Sequence, residues 1–525
     1  MREFDREYLT ESARRLGTGV AEHEWDEMAR LADWMTATID EFMAAAPPYL
    51  PAPHVVPASR RVLGPPRAGE DPLNAIRYWT EVRADPTEVT GDLLAGKNVV
   101  VKDLIQVAGL PISVGTRVLD GFVPVEDAPV VDRVLRAGAT ITAVTNMEGM
   151  AYGGGGESGD FGATRNPFDP TRSTSGSSGG SAASLFYDGV DIAFGTDQGG
   201  SVRLPAAWCG VLGLKPTHAL VPYSGIASHD ATFDHVGPMT RTVDDLARAM
   251  QVVQGADPSD HRQAAGVPRL DFLAAHGSAP TGYAGRTLAV LEEAVEPDGT
   301  PERDAALAAF AGFLTTFERL GGRVVRVSVP AHRLSGGVLF AAMLEGVAAT
   351  LHGNGDGYGR TGRYSVETRR AIGRGMAASG TILPHAYRMA AILGESYRRR
   401  YFGEVYATAQ RIIPALRGAY DTALEGVDAL VMPTAPLPAM ELRPDAGIFE
   451  RQTRSFSSPV DTPAHNATGH PALSLPAAQV DGLPFGIQLV GRRFEDDVLI
   501  GLAQTWESQV GWQPGDPEVH GGRRP

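Results

Sequence analysis

The chain has 525 residues, of which 43% are hydrophobic and 21% are charged, and its formal net charge at pH 7 is -15. This length exceeds the size at which a single core usually stops growing, so we expect one large α/β domain with appendages or two to three domains. The acidic balance excludes nucleic acid as an expected partner, because binding to a phosphate backbone depends on clustered Lys and Arg side chains.

Three features predict a soluble cytoplasmic protein with no membrane partner. The single cysteine, Cys209, cannot form an internal disulfide. The amino terminus is charged from its second residue and lacks the apolar core of a signal peptide. No apolar run reaches the roughly 18 to 20 residues that a transmembrane helix needs.

The amino-terminal region is predicted to differ from the rest of the chain. Residues 3–45 carry apolar positions at helical spacing, which predicts an α-helical cap. A stretch rich in Pro, Arg and Gly follows at 47–72, and its prolines predict a surface linker. We therefore divide the chain into a cap and linker (1–72), a catalytic domain (73–510) and a tail (511–525).

The catalytic domain opens with a strand, helix, strand pattern. The run VVVKDLIQV (99–107) is β-branched and apolar, residues 128–137 have helical spacing, and TITAVTN (140–146) is again typical of a strand. This order predicts an α/β fold with a mixed, mostly parallel central sheet covered by helices.

The second half of the chain is predicted to alternate helices and strands. We expect a helix at Val243–Val253 and a strand at Thr287–Leu291. Residues 333–424 are interpreted as a largely helical insertion, with a glycine-rich loop, HGNGDGYGR (352–360), near its front. Further strands are predicted at 428–434, 472–476 and 485–491.

Glycine and serine dominate residues 153–184, before a strand predicted at 191–195. Such a composition alone is typical of a flexible linker, but its place inside an α/β pattern predicts active-site loops. Small and polar residues concentrate in VVVKD around Lys102, TSGSSGGSAAS (174–184) and GTDQGGSVRLP (195–205). Consecutive N–H groups in glycine-rich turns can point at one oxygen, as an oxyanion hole requires.

Lysine occurs at only three positions, 97, 102 and 215, among 47 Lys and Arg residues. Arginine replaces lysine well as a solvated charge, so a surviving lysine can mark a site that needs a deprotonatable amine. Lys102 lies in a run predicted to be sheet interior, with Asp103 facing the opposite side. A buried neutral lysine can accept a proton from serine, but a buried ion pair explains Lys102 equally well. Chance and solvated surface remain the alternative for Lys97 and Lys215.

Read in order, several segments resemble the amidase signature family. They are GSSGGSAA from Gly176, TDQGGSVRLPAAWCGVLGLKPT from Thr196 to Thr217, then VPYSG, DHVGPMTRTVDDLA, TPAHNATGHPALSLPA and GLPFGIQLVG. The resemblance covers roughly residues 73–510 and implies the amidase signature fold. Within the family, the chain is most similar to amino-terminally extended bacterial amidases that act on small aliphatic and aromatic amides.

The resemblance implies a Ser, cis-Ser, Lys triad. Its relay serine lies 24 residues before the nucleophile, and this spacing joins Ser177 to Ser201. Lys102 falls on the family base. The implied oxyanion hole consists of the backbone N–H groups of Gln198, Gly199, Gly200 and Ser201. The implied contacts to the acyl group come from Ala151, Tyr152 and Gly153, with Tyr152 as an aromatic wall.

The implied reaction is hydrolysis of a small-molecule amide to acid and amine or ammonia through an acyl-enzyme, without metal or organic cofactor. Carbamates, aryl amides and esters are alternative substrates for the same triad. The amidase component of the tRNA-dependent amidotransferase is disfavoured, because it usually has Thr at the position of Gln198 and lacks the long cap. Relatives also imply a homodimer.

Two rival hypotheses start from single motifs. A G-x-S-x-G motif begins at Gly176 and would make Ser178 the nucleophile of a Ser-His-Asp α/β-hydrolase, but the preceding DPTRSTS is polar and contains Pro170 where a hydrophobic strand is required. A non-enzymatic phosphate-binding module would use the glycine-rich loops as cradles, but no GxxxxGK[ST] sequence occurs.

Other candidate residues are given structural roles. His229, His235 and His465 are expected to be structural or substrate-lining. Asp197 and Arg203 flank the predicted nucleophile and are expected to pair and brace its loop. Cys209 is expected to be a small buried apolar residue, because no activating cation adjoins it.

Overall fold

The computed structural model describes residues 5–49, 60–263, 266–355, 362–517 and 519. The chain divides into two compact units, Met1–His54 and Val55–Pro525.

The first unit contains two helices, α1 (Arg6–Leu16) and α2 (Trp25–Ala45). The Asp5 side chain caps α1 by accepting a hydrogen bond from the backbone N–H of Tyr8. Gly17 ends α1 with a φ of 73°, a left-handed conformation that glycine adopts without a steric penalty. The helices predicted over residues 3–45 are confirmed, and neither of them contains a buried residue.

The second unit is built on one sheet of twelve described strands. Their bounds are β1 (Arg61–Gly64), β2 (Ile76–Val82), β3 (Asn98–Lys102), β4 (Thr140–Thr145), β5 (Ile192–Asp197), β6 (Leu212–Lys215), β7 (His235–Thr240), β8 (Thr287–Leu291), β9 (Arg323–Val327), β10 (Ala429–Pro433), β11 (Ala472–Val480) and β12 (Leu483–Val490). Their spatial order is β1-β2-β4-β3-β5-β7-β6-β11-β12-β10-β8-β9.

The sheet is mixed, as predicted, but the expectation that it is mostly parallel is wrong. Among the described strands, only the groups β4-β3-β5 and β10-β8-β9 are parallel, and the other neighbouring pairs are antiparallel. A two-residue turn, Asp481-Gly482, joins β11 to β12, and both residues have positive φ. Such a turn requires an antiparallel hairpin, so this short connection fixes the antiparallel pairing of β11 with β12.

Part of the predicted linker at 47–72 forms a β-strand. Strand β1 pairs antiparallel with β2 at the edge of the sheet, so the linker prediction is wrong for Arg61–Gly64. Pro65 and Pro66 follow directly, and the strand ends where proline removes the next backbone donors. Residues 50–59 of the same prediction lie outside the described residues.

The helices of the second unit are α3 (Pro129–Arg136), α4 (Gly179–Ser184), α5 (Arg203–Cys209), α6 (Val243–Val253), α7 (Phe272–Gly277), α8 (Pro301–Arg319), α9 (Ser335–His352), α10 (Val366–Ser379), α11 (His385–Tyr401), α12 (Glu404–Ala423), α13 (Ile448–Ser455), α14 (Pro463–Thr468) and α15 (Asp496–Gln509). Helices α9 to α12 confirm the helical insertion predicted at 333–424. Most of the glycine-rich loop predicted within 352–360 lies outside the described residues.

One helical segment is longer and more apolar than the sequence analysis allowed. Pro330–His352 is long and apolar enough, by length and composition, to cross a membrane. The expectation that no such segment exists is therefore wrong. Half of its most apolar window is buried in the unit, where Val338, Met343 and Val347 pack with Tyr387 of α11. Its apolar character is explained by this core packing.

Alternation along β3 assigns its side chains to two different cores. Val99 and Val101 belong to a cluster that includes α3 and α6. Val100 belongs to the cluster on the other face, which includes α4 and α5. Because side chains alternate along a strand, Lys102 shares the face of Val100, and Asp103 lies on the opposite side. The sheet thus directs Lys102 toward the amino-terminal end of α4.

Candidate active site

Lys102 is the last residue of β3 and is fully buried. Its amine donates hydrogen bonds to Ser177 Oγ at 2.7 Å and to Thr196 Oγ1 at 2.9 Å. Burial lowers the pKa of the Lys102 amine well below its usual range, and Asp197 and Glu148 act in the opposite direction. No ion pair of Lys102 occurs among the described residues, so the buried ion pair that the sequence left open is not found.

Ser177 lies in the loop before α4 and is also fully buried. The peptide bond between Gly176 and Ser177 is cis. The backbone oxygen of Ser177 accepts a hydrogen bond from the N–H of Glu148 at 3.1 Å. The next residue, Ser178, places its hydroxyl against the backbone N–H and O of Thr196. Ser178 is therefore tied to the sheet, which disfavours it as a nucleophile.

Ser201 lies in the loop between β5 and α5 and is the member of the predicted triad that lines an open cleft. Its backbone oxygen accepts a hydrogen bond from Ser178 N at 3.2 Å. This contact ties the Ser201 loop to the residue beside Ser177. The structure thus brings all three predicted residues to one place, although only Lys102 and Ser177 are joined by a side-chain hydrogen bond in the described part of the chain.

A buried ion pair braces the Ser201 loop, as predicted. Asp197 and Arg203 are fully buried, and Nη2 of Arg203 lies 2.9 Å from Oδ1 of Asp197. Arg203 also donates to Thr462 O, Gln488 Oε1 and Asn466 Oδ1, so its guanidinium is well satisfied. Burial raises the pKa of Asp197, but the Arg203 charge and the hydrogen bonds from Arg203 and Asn466 together outweigh this effect and hold the pKa below its usual range.

One predicted oxyanion donor is used inside this loop. The N–H of Gly200 donates to Asp197 Oδ1 at 2.8 Å, which corrects the prediction for Gly200. A Cβ atom at this position would also lie 2.4 Å from Thr462 Oγ1, so only glycine fits. Gly199 and Ser201 border the cleft, and their N–H groups have no acceptor among the hydrogen bonds of the described residues.

Gln198 belongs to a polar network that the sequence did not predict. Its side-chain Nε2 donates to Tyr223 Oη at 2.7 Å and to Asp234 Oδ1 at 3.1 Å. Ser228 Oγ donates to the second oxygen of Asp234. Gln198 is thereby fixed between the Ser201 loop and residues 223–234, while one side of it borders the cleft.

The cleft above Ser201 has a volume of about 500 Å³, which includes space open to solvent. The predicted acyl-contact residues all line it, together with three residues of the helical insertion that the sequence did not identify individually, Leu339, Phe340 and Met343. The described lining residues are Ala151, Tyr152, Gly153, Gly154, Gln198, Gly199, Ser201, Leu204, His229, Leu339, Phe340, Met343, Phe456 and Pro459. None of these described lining residues is Asp, Glu, Lys or Arg.

Tyr152 forms an aromatic wall of this cleft. Its ring makes edge contacts with His229, Tyr387 and Phe456 at centroid distances of 5.7 to 5.8 Å. Leu339, Phe340 and Met343 come from α9, more than a hundred residues further along the chain. No local motif marks those α9 residues, because their role depends on how the insertion packs over the loop.

The histidines have the structural or lining roles that were expected. His229 lines the cleft and contacts Met150 O at 2.7 Å through Nε2, and burial lowers its pKa to about 4. His235 contacts Phe233 O at 2.7 Å, and His465 is fully buried. No hydrogen bond joins any of the three to Ser177, Ser178 or Ser201 among the described residues.

The other two lysines and the cysteine make no hydrogen bond to Lys102, Ser177 or Ser201 among the described residues. Lys97 pairs with Asp245 at 2.7 Å near the surface. Lys215 is fully buried and donates to two backbone carbonyls. Cys209 is buried in an apolar core, as expected, and burial raises the pKa of its thiol. The described residues contain no group of three or more His, Cys, Asp or Glu side chains placed to hold a metal ion.

A sequence model of the family described as Amidase matches residues 69–500. The chain is 35% identical over 460 residues to the enantioselective amidase of Rhodococcus rhodochrous, an alignment that covers 86% of each protein. It is 33% identical over 423 residues to a glutamyl-tRNA(Gln) amidotransferase subunit of Halobacterium salinarum, with 79% of this chain and 95% of that protein covered.

The fold is also similar to that of a solved relative. A glutamyl-tRNA(Gln) amidotransferase subunit of Thermotoga maritima superposes with a TM-score of 0.68 at 29% sequence identity. The superposition covers 85% of this chain and 91% of that one.

Proposed function

The chain belongs to the amidase family and is an amide-hydrolysing enzyme, and from this premise we propose that it cleaves carboxylic amides to acid and amine or ammonia through an acyl-enzyme. In this proposal Ser201 is the nucleophile, Ser177 the proton relay and Lys102 the base. The observation that carries it is the 2.7 Å hydrogen bond between the Lys102 amine and Ser177 Oγ in a fully buried environment.

Burial supports the role of Lys102 as a base. A serine becomes nucleophilic when a neighbouring group takes its proton, and an amine can do so only in its neutral form. Desolvation disfavours the ammonium form of Lys102 and lowers its pKa. Its contacts are hydroxyl groups, which can donate a proton to the amine as well as accept one.

The proposed proton path runs in one direction and then back. Neutral Lys102 takes a proton from Ser177, which takes one from Ser201 as the Ser201 oxygen attacks the amide carbon. Protonated Lys102 returns the proton through Ser177 to the departing nitrogen, and the amine leaves. Water then attacks the acyl-enzyme by the same path, and the acid is released with Ser201 reprotonated.

The oxyanion is proposed to bind in the turn before Ser201. The N–H groups of Gly199 and Ser201 are the candidate donors, with Gln198 beside them, because Gly200 already donates to Asp197. The Asp197–Arg203 pair fixes this turn before substrate arrives, so the donors need no reorganisation when negative charge develops on the oxygen.

The lining of the cleft supports an uncharged substrate with an apolar or aromatic acyl group. Tyr152, Phe340, Phe456 and neighbouring aliphatic side chains form the walls. A charged acyl group would lose its hydration there without gaining an opposite charge. A primary aromatic amide is therefore the proposed leading substrate, and carbamates, aryl amides and esters are alternatives for the same machinery.

We also propose that the enzyme acts in the cytoplasm as a homodimer. The support for association is helix α2, which carries large apolar side chains at helical spacing, including Trp34, Ile39 and Phe42, and buries none of them within its own unit. A helix with an apolar stripe of this size is typical of one that packs against a partner.

The proposed function is tested by labelling and by a substrate screen. A fluorophosphonate probe followed by peptide mapping is expected to modify Ser201, and an adduct on Ser178 would contradict the assignment. In the screen, kcat/KM for an aromatic primary amide is expected to exceed that of its ring-carboxylate analogue by about 100-fold. Carbamates and esters enter the same screen, and a higher kcat/KM for a carbamate would replace the leading substrate.

A further inference from the structure

Glu148 is a buried carboxyl group beside the site for which the proposed proton path has no role. It follows β4 and is 3% exposed. Its Oε1 accepts a hydrogen bond from Ser158 Oγ at 2.6 Å, and Oε2 has no donor in good hydrogen-bond geometry among the described residues. The backbone N–H groups of Gly156 and Ser158 favour the carboxylate, but burial has the larger effect. A buried carboxyl group without a cation is costly to ionise, so the position of this group needs a physical reason.

Two glycines make room for the Glu148 carboxyl. A Cβ atom at Gly153 would lie 2.9 Å from Oε1, and a Cβ atom at Gly176 would lie 3.0 Å from Oε2. The backbone N–H of Glu148 also donates to Ser177 O at 3.1 Å. The residue therefore lies against the peptide that carries the relay serine and against the loop that lines the cleft.

Two carboxyl groups favour the charged form of Lys102, namely Asp197 and Glu148. Asp197 is paired with Arg203, and its pKa stays below the usual range, so its charge is constant near neutral pH. Glu148 has no cationic partner within ion-pair distance among the described residues. Burial raises its pKa to about 7, so its charge changes in the neutral range.

Two other titratable groups face this pair of residues. The Glu157 charge favours the protonated form of Glu148. His229 lies near Lys102, but burial holds its pKa at about 4, so it is neutral at the pH where Glu148 titrates. Of the two carboxyl groups that favour the ammonium form of Lys102, Glu148 is therefore the one whose charge changes near neutral pH. Burial also raises the pKa of Asp103 to about 6, but its side chain lies on the opposite side of the sheet from Lys102.

We propose that Glu148 is a positioning residue whose protonation state governs the base: as an acid it leaves the Lys102 amine neutral, and as a carboxylate it stabilises the ammonium form. The proposal rests on the proposed function, in which Lys102 is the base. It also assigns a reason to Gly153 and Gly176, which admit the carboxyl next to the relay peptide.

The charges determine the direction in which the pH profile of Glu148→Gln should move. Activity requires the neutral amine, so the acidic limb of the kcat/KM profile reports the proton uptake of Lys102. A carboxylate nearby moves this limb to higher pH, and a neutral side chain moves it to lower pH. Glu148→Gln is therefore expected to shift the acidic limb down by about one pH unit where Glu148 is a carboxylate, and by less where it is partly protonated. One pH unit is the size of a charge interaction over several ångströms in a partly shielded site.

The experiment compares kcat/KM between about pH 5 and 9 for three variants of the full chain, each with a thermal melt. Glu148→Gln removes the charge, and Glu148→Asp keeps a titrating carboxyl. Glu425→Gln is the matched control, because it removes the same charge from an exposed position. The Asp and control variants are expected to keep the limb within about 0.3 pH unit of the unchanged enzyme.

Other outcomes overturn the proposal. They are an unshifted or raised limb in Glu148→Gln, an equal shift in the control, or a shift in Glu148→Asp as large as in Glu148→Gln, which would assign the effect to packing. If Glu148→Gln does not fold, infrared difference spectra of the unchanged enzyme replace it. They must show a carboxyl that titrates between about pH 6 and 8 and whose band moves in Glu148→Asp, and its absence overturns the proposal.

Failure of this inference is distinguishable from failure of the proposed function. Lys102→Met measured alongside should be inactive at every pH. If it is inactive and the limb of Glu148→Gln is unmoved, the role of Glu148 alone is wrong. If Lys102→Met keeps normal activity, the base assignment itself is wrong.

Discussion

Two lysines of this fold are buried to the same extent, but their amines contact different kinds of hydrogen-bonding group. Lys102 ends β3, Lys215 ends β6, and both are fully buried. Burial lowers the pKa of both amines well below the usual range, and the Arg203 charge adds to this effect at Lys215. The Lys215 amine donates to Pro216 O at 3.0 Å and to His470 O at 2.7 Å. The Lys102 amine meets two hydroxyl groups instead.

This difference separates a structural amine from the amine that we propose as the base. A backbone carbonyl only accepts hydrogen bonds, so it cannot supply a proton to Lys215. A serine hydroxyl can supply one, and Ser177 is in direct contact with Lys102. Desolvation therefore prepares both amines to be neutral, but only Lys102 has a proton donor on the path to an open cleft. The comparison leads to three predictions, of which the first has the largest expected effect.

Lys102→Met should lower kcat/KM by about 1,000-fold or more, because it removes the only proposed acceptor for the Ser201 proton. Methionine keeps the length and apolar stem of the side chain, so the thermal melting temperature should change little. Steady-state kinetics with an aromatic amide, together with a thermal melt, check the prediction. A folded variant with at least a tenth of the normal kcat/KM would remove the distinction between the two lysines.

The pH dependence of the free energy of unfolding should show that burial lowers the pKa of both lysines. An amine whose folded pKa lies below its unfolded pKa binds fewer protons in the folded state, so stability rises with pH until the unfolded pKa. Each neutral buried lysine contributes a slope of up to about 1.4 kcal/mol per pH unit above its folded pKa. Urea unfolding between about pH 7.5 and 9 should therefore show a smaller slope in Lys102→Met and in Lys215→Met. An unchanged slope in either variant would mean that this lysine stays charged.

Lys215→Met should have the smallest effect on catalysis. Its amine touches no residue of the proposed proton path, so kcat/KM should stay within about threefold of the unchanged enzyme. The acidic limb of the pH profile should also stay in place. A selective loss of kcat in a variant with a normal melting curve would show that the Lys215 environment is coupled to the reaction.

The sequence predicted much of the candidate site because its residues are concentrated in short segments. The scarcity of lysine and the apolar run around it pointed to Lys102, and a family spacing pointed to Ser177 and Ser201. The alternation of side chains along a strand was enough to place Lys102 and Asp103 on opposite faces of the sheet. The pairing of Asp197 with Arg203 was also predictable, because both flank one tight loop.

Other features depend on tertiary packing and could not be predicted in this way. Leu339, Phe340 and Met343 line the cleft only because α9 folds back over the Tyr152 loop. The commitment of the Gly200 N–H to Asp197 depends on the loop conformation, which spacing does not specify. The Asp481-Gly482 turn, in contrast, carries a recognisable hairpin signal that would have identified β11 and β12 as an antiparallel pair.

The most direct test of Lys102 as a neutral base is the rate at which a fluorophosphonate modifies Ser201 in Lys102→Arg. Guanidinium stays protonated, so arginine keeps the positive charge and the hydrogen-bond donors but cannot take a proton. The account predicts that Ser201 is not labelled in this variant between about pH 6 and 10, while Lys215→Arg is labelled at a rate close to normal. Restored labelling in Lys102→Arg would show that Lys102 serves as a structural cation and would contradict the account.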